Sequence, residues 1–512
     1  MSFSASNKRI AKNTLMLYLR QILVMLVSLY TVRVLLGILG VEDYGIYNVV
    51  GGLVVMFSFL NSAMTQATQR FLNFAMGQND TEQVRNVYSI SFLIHILIAV
   101  VVIILAETAG LWFFYNWLNI PIERQSAAFV AYQFSVVATA IGIFLVPYRA
   151  TIIAYEKMSF FAMISIVEVF FKLGIVFLLP FIFFDKLTVY AFLVAIVGLV
   201  LFFLHKVYCN KMFETAHFRY CRDKQLFQHL IGFSGWLVFG QFANVCRNQG
   251  INVLINIFHG VILNAAMGIA NQVNTAVYTF VTNFQTAVRP QIIKSYAAKE
   301  YDIFMQLIFR SSKASFYLLF LFFLPLYINA DFVLQVWLKN NVPEYSIIFT
   351  RLILFYSLEI AIGYPLAMSV EATGNIKKYQ IVVSSLIIIN LPLSLLFLWL
   401  GFNPAWVLII KIGLSFLVLV WRIFYSSKYL NLSIINFLRE VIVPILVIAG
   451  VSSIVTTFLT NFFIDWTKLI LSCIVSTISI GCLVYYVGIN KQERVLLRNW
   501  INIKIKKKTT LV

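Results

Sequence analysis

Four asparagines recur at every fourth position, Asn244, Asn248, Asn252 and Asn256, with Arg247 and Gln249 flanking them. On a helix this spacing lays the amides along one slowly drifting face. Such a face can hydrogen-bond a polyhydroxylated guest, and the planar fork of an arginine beside it suits phosphate. A second polar set follows at Asn264, Asn271, Gln272, Asn274 and Asn283. Two more occur early: Arg20, Gln21, Ser28, Thr31 and Arg33, then Asn48, Ser58, Asn61, Ser62 and Thr65. No Walker loop, metal-ligand spacing or nucleophile–base set accompanies them, so binding and transport are expected rather than catalysis, with no cofactor and no direct use of ATP.

The elements that must position these residues are apolar helices. The chain of 512 residues is 61% hydrophobic and 12% charged, with mean hydropathy +0.88. A soluble domain of that composition could not cover its surface with polar groups. Runs of about 20 apolar residues, the length needed to cross the hydrocarbon layer, recur throughout. They predict an all-α polytopic membrane protein of about fourteen spans, at 13–36, 44–66, 87–107, 126–146, 159–184, 188–205, 227–258, 263–288, 314–338, 346–370, 380–400, 405–424, 441–463 and 468–489. With the first residue inside, 29 of the 39 lysines and arginines fall in inside segments and 4 in outside ones. That asymmetry predicts both termini inside, and it reads the net charge of +19 as a topology signal rather than a nucleic-acid footprint. The polar start and full-length first apolar run argue against a cleaved signal peptide. Five cysteines without CxxC spacing imply neither disulfides nor metal.

The basic loops divide the chain into 1–225 (six spans), 226–424 (six spans), 425–489 (two spans) and a basic tail at 490–512. A shift of 219 residues lays Gln66-Ala-Thr-Gln-Arg70 on Gln285-Thr-Ala-Val-Arg289 and keeps hydropathy and loop side in register. Two similarly oriented six-helix lobes are expected, with substrate between them. The polar stripes fall on spans 1, 2, 7 and 8, equivalent pairs under the shift. A water-filled cavity explains them; interhelical hydrogen-bonding is the competing explanation.

Arg20 and Arg247 lie inside spans whose neighbours 1, 2, 7 and 8 contain no acid. A charge at mid-bilayer costs roughly 2.5–3.5 kcal/mol or more, so these arginines predict water or an anionic guest. Arg33 sits near an outer end, where snorkelling competes with substrate contact. The candidate substrate-binding set is therefore Arg20, Arg33, Arg247, Asn61, Asn244, Asn248, Asn252, Asn256 and Asn271. Glu168 and Lys172 are spaced to neutralise each other, and Arg351 and Lys411 lie where they can snorkel. Glu359, beside the Gly363-Tyr364-Pro365 break, is a candidate site for proton or sodium coupling. Prolines 325, 365, 392 and 444 should kink their helices.

With the spans placed, Asn7-Lys-Arg-Ile-Ala-Lys-Asn-Thr14 and Leu39-Gly-Val-Glu-Asp-Tyr-Gly-Ile-Tyr47 come into view, with Tyr155-Glu-Lys157 and Arg289-Pro290 further on. Together they resemble the polysaccharide-exporter and O-antigen flippase branch of the multidrug/oligosaccharidyl-lipid/polysaccharide exporter superfamily. The resemblance implies twelve core helices in two lobes, alternating access, and cavity arginines on a lipid diphosphate. It also implies a bacterial inner-membrane flippase for an undecaprenyl-diphosphate-linked oligosaccharide in O-antigen, capsule or exopolysaccharide assembly. Lipid-linked oligosaccharide and membrane lipids would be its partners, with a polysaccharide polymerase and chain-length proteins as further candidates. The alternative is a cation-coupled multidrug exporter of the same fold. Such an exporter would want a cavity carboxylate.

Overall fold

The computed structural model describes residues 3–55, 58–117, 120–221, 223–338, 342–489 and 494, and within that range the chain is all-helical. Ten helical stretches are long and apolar enough to cross a membrane: Thr81–Asn116, Ile122–Ala154, Met158–Phe181, Lys186–Met212, Tyr301–Ile328, Ser346–Thr373, Lys377–Trp399, Trp406–Leu430, Ile434–Thr460 and Asp465–Gly488. These correspond to the spans expected third to sixth and ninth to fourteenth. The other four expected spans carry the polar stripes, and they too are helical, within α1 (Phe3–Val55), α2 (Ser58–Gly77) and α9 (Lys224–Ala297). Helices α3–α8 and α10–α14, numbered in chain order between and after these, begin at Thr81, Leu111, Gln125, Val146, Met158, Lys186, Tyr301, Ala330, Ser346, Lys377 and Trp406; α15, α16 and α17 begin at Ile434, Val443 and Asp465.

Hydropathy places several helix ends too far inward. The third span begins at Thr81 rather than 87, because the Asp80 carboxylate accepts from the Gln83 N–H and caps the helix there. Asp185 and Asp223 cap α8 and α9 in the same way. Arg70, Arg85, Arg310 and Lys313, expected in inside segments, therefore lie on helices. Backbone hydrogen bonds continue beyond the apolar stretch and carry these polar side chains on helical turns.

Two helical stretches contain more than one expected span. In α1 the chain breaks at Gly40, whose φ of 77° is one a side chain rarely tolerates. The 74 residues of α9 would reach about 110 Å if straight. Yet Phe233 packs edge-on to Phe71 at 5.6 Å while Arg289 reaches Gln66, both on α2. The chain must double back between residues 233 and 289, as two successive spans require.

The chain forms two compact units. The first comprises Met1–Phe242, Thr286–Phe304 and Glu371–Ile381. Its core joins α2, α3, α6 and α8 through Leu72, Val87, Ile90, Ile152 and Cys209, and α1 packs along α7 through Leu35, Ile164 and Val176. The second comprises Ala243–Gln285, Met305–Val370 and Val382–Val512. There Ile251, Ile255, Met267, Phe349, Leu398 and Leu408 interlock, and α16 packs on α17 with Ser452, Thr456, Ser472 and Ser476 buried. Small residues let these two backbones approach closely.

Within each unit, segments expected on one side of the membrane meet one another. In the first, Asp43 of α1, Arg124 and Asp185 converge, with Arg124 bonded to Asp43 (2.6 Å) and to Asp185 (2.6 Å). In the second, Arg351 pairs with Asp331 (2.9 Å) and Asn403 donates to the Tyr345 hydroxyl (3.0 Å) at the end expected to face outward, while Lys313 donates to the Gly488 carbonyl (3.0 Å) at the other.

Candidate functional site

In the second unit the polar stripe of α9 faces charged residues from α12 and α14. Arg247 is 7% exposed. Its Nη2 donates to Asn244 Oδ1 (3.0 Å) and to the Tyr356 hydroxyl (2.9 Å), and its guanidinium lies 5.6 Å from the Tyr356 ring centre. Lys411 approaches the same ring, with Nζ 4.4 Å from its centre. Lys411 was expected to snorkel outward. Instead it is buried, because the Tyr356 π face offers the ammonium a local partner that lipid does not. Neither cation has an ion-pair partner among the described residues. Arg247 Nε has no acceptor there either.

Glu359 sits one turn beyond Tyr356 on α12. Ser415 of α14 donates to its Oε2, while Oε1 has no hydrogen-bond partner among the described residues. Arg422 flanks the same spot: a Cβ added at Gly363 would meet its Nη1 at 2.8 Å and Glu359 Oε1 at 3.6 Å. A side chain there would push on the end of Arg422. The four side chains Arg247, Lys411, Arg422 and Glu359 thus bring three positive charges and one negative charge into one region. Such a region attracts anions and can still hold one titratable acid.

The other expected site residues are distributed as follows. Asn248 and Asn271 are exposed, and Asn252 donates weakly to Gln249 (3.4 Å). Asn274, outside the candidate set, accepts from Ser357 (2.7 Å), so part of the stripe does act as interhelical glue. The side chains of Arg33 and Asn256 lie outside the described residues. In the first unit Asn61 is half-buried, and Arg20 is half-buried against the Phe161 ring, 5.3 Å from its centre, and near Gln21 (3.4 Å). Glu168 and Lys172 form the expected pair at 2.7 Å.

Sequence spacing did not reveal Tyr356, Ser415 and Arg422, which come from separate helices. Nor did it reveal a second cluster, within the first unit, at the end expected to be cytoplasmic. There Arg289 forms an ion pair with Glu371 and reaches Gln66 (3.4 Å). Arg70 donates to the Glu371 and Ala372 carbonyl oxygens (3.2 and 2.9 Å). The two arginines related by the 219-residue shift thus converge on the end of α12. Beside them Glu156, from the Tyr155-Glu-Lys157 motif, accepts from Gln291 (2.7 Å) and Lys294 (2.8 Å).

No family model matches the chain, and no curated protein matches it. Solved structures do. An outward-facing multidrug resistance MATE family transporter of the MOP superfamily shares 12% identity with TM-score 0.71, over 83% of this chain and 96% of that one. A MATE protein in the bent conformation gives 14% and 0.69 over 83% and 96%. A MOP superfamily transporter from Pyrococcus furiosus, whose binding pocket is described as reversed in polarity, gives 12% and 0.69 over 82% and 96%.

The fold is that of the MATE transporters. The fold implied by the resemblance drawn from the N-terminal motifs is the fold observed. With its ten apolar helices, the MATE fold makes this a multi-pass membrane protein.

Proposed function

We propose that this protein is a flippase carrying a lipid-linked oligosaccharide, undecaprenyl-diphosphate its anchor, across the bacterial inner membrane by alternating access. Fourteen spans with both termini inside complete the topology, and the product serves O-antigen, capsule or exopolysaccharide assembly. The observation that carries the reading is the pair of buried cations on Tyr356: Arg247 and Lys411 lack a carboxylate partner among the described residues. Two such charges in a low-dielectric setting repel each other and remain costly until an anion joins them. A diphosphate supplies that charge, and the nearby asparagine and glutamine amides suit sugar hydroxyls. Arg20 would make a further contact on the substrate's path, as would Asn61, Asn248, Asn252 and Asn271, and Arg33 and Asn256 belong to the same proposed set. Glu359 would carry the coupling proton or sodium ion.

Glu359 also favours the second reading, a cation-coupled multidrug exporter, as does the multidrug transporter among the matching structures. Cationic drugs need an accessible carboxylate, and here the only acid in the cluster is engaged by Ser415 and flanked by Arg422.

Deletion in the native host tests the proposal. Loss of surface glycan with accumulation of lipid-linked intermediates is expected, and wild-type protein but not Arg247→Ala should restore the glycan. Intact glycan with heightened sensitivity to cationic dyes would assign the protein to drug export.

A further inference from the structure

Away from the Arg247 cluster, the first unit contains a cavity of about 580 Å³ between the end of α2, the start of α9 and the turn joining α12 to α13. Its floor is Arg70, 5% exposed and set among the rings of Phe71, Phe74 and Phe233 at 4.7, 4.6 and 5.5 Å. Two of its nitrogens are satisfied by the Glu371 and Ala372 carbonyl oxygens. The third, Nη1, has no hydrogen-bond partner among the described residues, and it lies where a Cβ on Gly374 would come within 3.3 Å. The nearest acid cannot neutralise Arg70, because the Glu371 carboxylate is taken by Arg289. Exposed Lys377 and His229 form the rim, with Lys377 Nζ 5.7 Å from the Trp236 ring centre. No acidic residue lines the cavity.

We propose that this cavity binds a phosphate group, carried by an anionic lipid head or present as the free ion. A buried guanidinium with one open nitrogen, an exposed ammonium at the rim and the first N–H groups of α13 all favour negative charge. Phe71, Phe233 and Trp236 add an apolar wall of the kind an acyl chain can follow, and tryptophan is at home at the membrane interface. This proposal is independent of the transported cargo, since it uses none of the residues assigned to it.

Trp236 provides the readout. The purified protein is placed in phosphatidylcholine nanodiscs, and its emission is compared with that of Trp236→Phe to isolate the one indole. One arm raises the phosphatidylglycerol content of the discs, and the other adds inorganic phosphate to pure phosphatidylcholine discs. A saturable change in the Trp236 signal is expected in at least one arm: a lipid-only response identifies the lipid head, and a phosphate response identifies the free ion. Lys377→Gln, at an exposed position that leaves the fold intact, should raise the half-saturation point roughly fivefold. Silence in both arms, or an unchanged titration in Lys377→Gln, overturns the proposal.

Discussion

Arg289 and Glu371 stand 82 residues apart and form an ion pair in which the side chains are 5% and 10% exposed. Gln66 contacts the same guanidinium, and Arg70 binds the glutamate's own backbone carbonyl. The acid is therefore held from both ends by arginines that a single sequence shift relates. Removing one partner leaves a buried charge without compensation, which costs about 3–5 kcal/mol. Arg289→Ala and Glu371→Ala should each lower the unfolding temperature in detergent markedly. The double variant should lose less than the sum of the two. Strict additivity would show that the pair contributes nothing of its own.

Tyr356 connects Arg247 to Lys411 through its hydroxyl and its ring. Tyr356→Phe keeps the ring under Lys411 but removes the charge-assisted hydrogen bond, worth about 1.5–3 kcal/mol. Transport in reconstituted vesicles should fall by roughly tenfold or more, and Arg247→Ala should abolish it at normal expression. Wild-type flux in either variant would remove the cluster from the substrate path.

Glu359→Gln preserves a partner for Ser415 while deleting the only negative charge in the cluster. If Glu359 carries the coupling ion, the variant should lose gradient-driven transport yet still bind and exchange substrate. Counterflow assays with and without an imposed gradient separate the two. Unchanged dependence on the gradient would move coupling elsewhere.

The Arg124 clamp makes a pH prediction. Burial works to raise the Asp185 carboxyl, but hydrogen bonds from the Thr188 N–H and the Arg124 guanidinium outweigh it and hold the group below its usual range. A carboxyl depressed in the folded state stabilises it above the unfolded value and loses that contribution as pH falls through the folded value. The unfolding temperature should therefore decline as pH drops below about 4, where free carboxyls titrate. Asp185→Asn should be less stable at neutral pH and show less of that decline.

What could be read from sequence divides along physical lines. The ten apolar spans were legible because hydrocarbon thickness and backbone satisfaction leave few alternatives. Asp43, Arg124 and Asp185, assigned from charge to one face, do meet. Legible too was Glu168–Lys172, whose partners lie one helical turn apart. Lys411 was misjudged because snorkelling depends only on depth, whereas its actual partner is a ring 55 residues away in sequence. The Ser415 and Arg422 surroundings of Glu359 were hidden for the same reason. Helix ends were drawn short because hydropathy marks where lipid stops, while the caps at Asp80, Asp185 and Asp223 mark where the helix begins.

The Arg124 clamp also has a mechanical consequence. One guanidinium grips two carboxylates, Asp43 on α1 and Asp185 at the start of α8, all within the first unit. A torque applied to any of those helices at this end passes to the rest before the connecting chain can slacken. The helices tied there should then turn together rather than one by one.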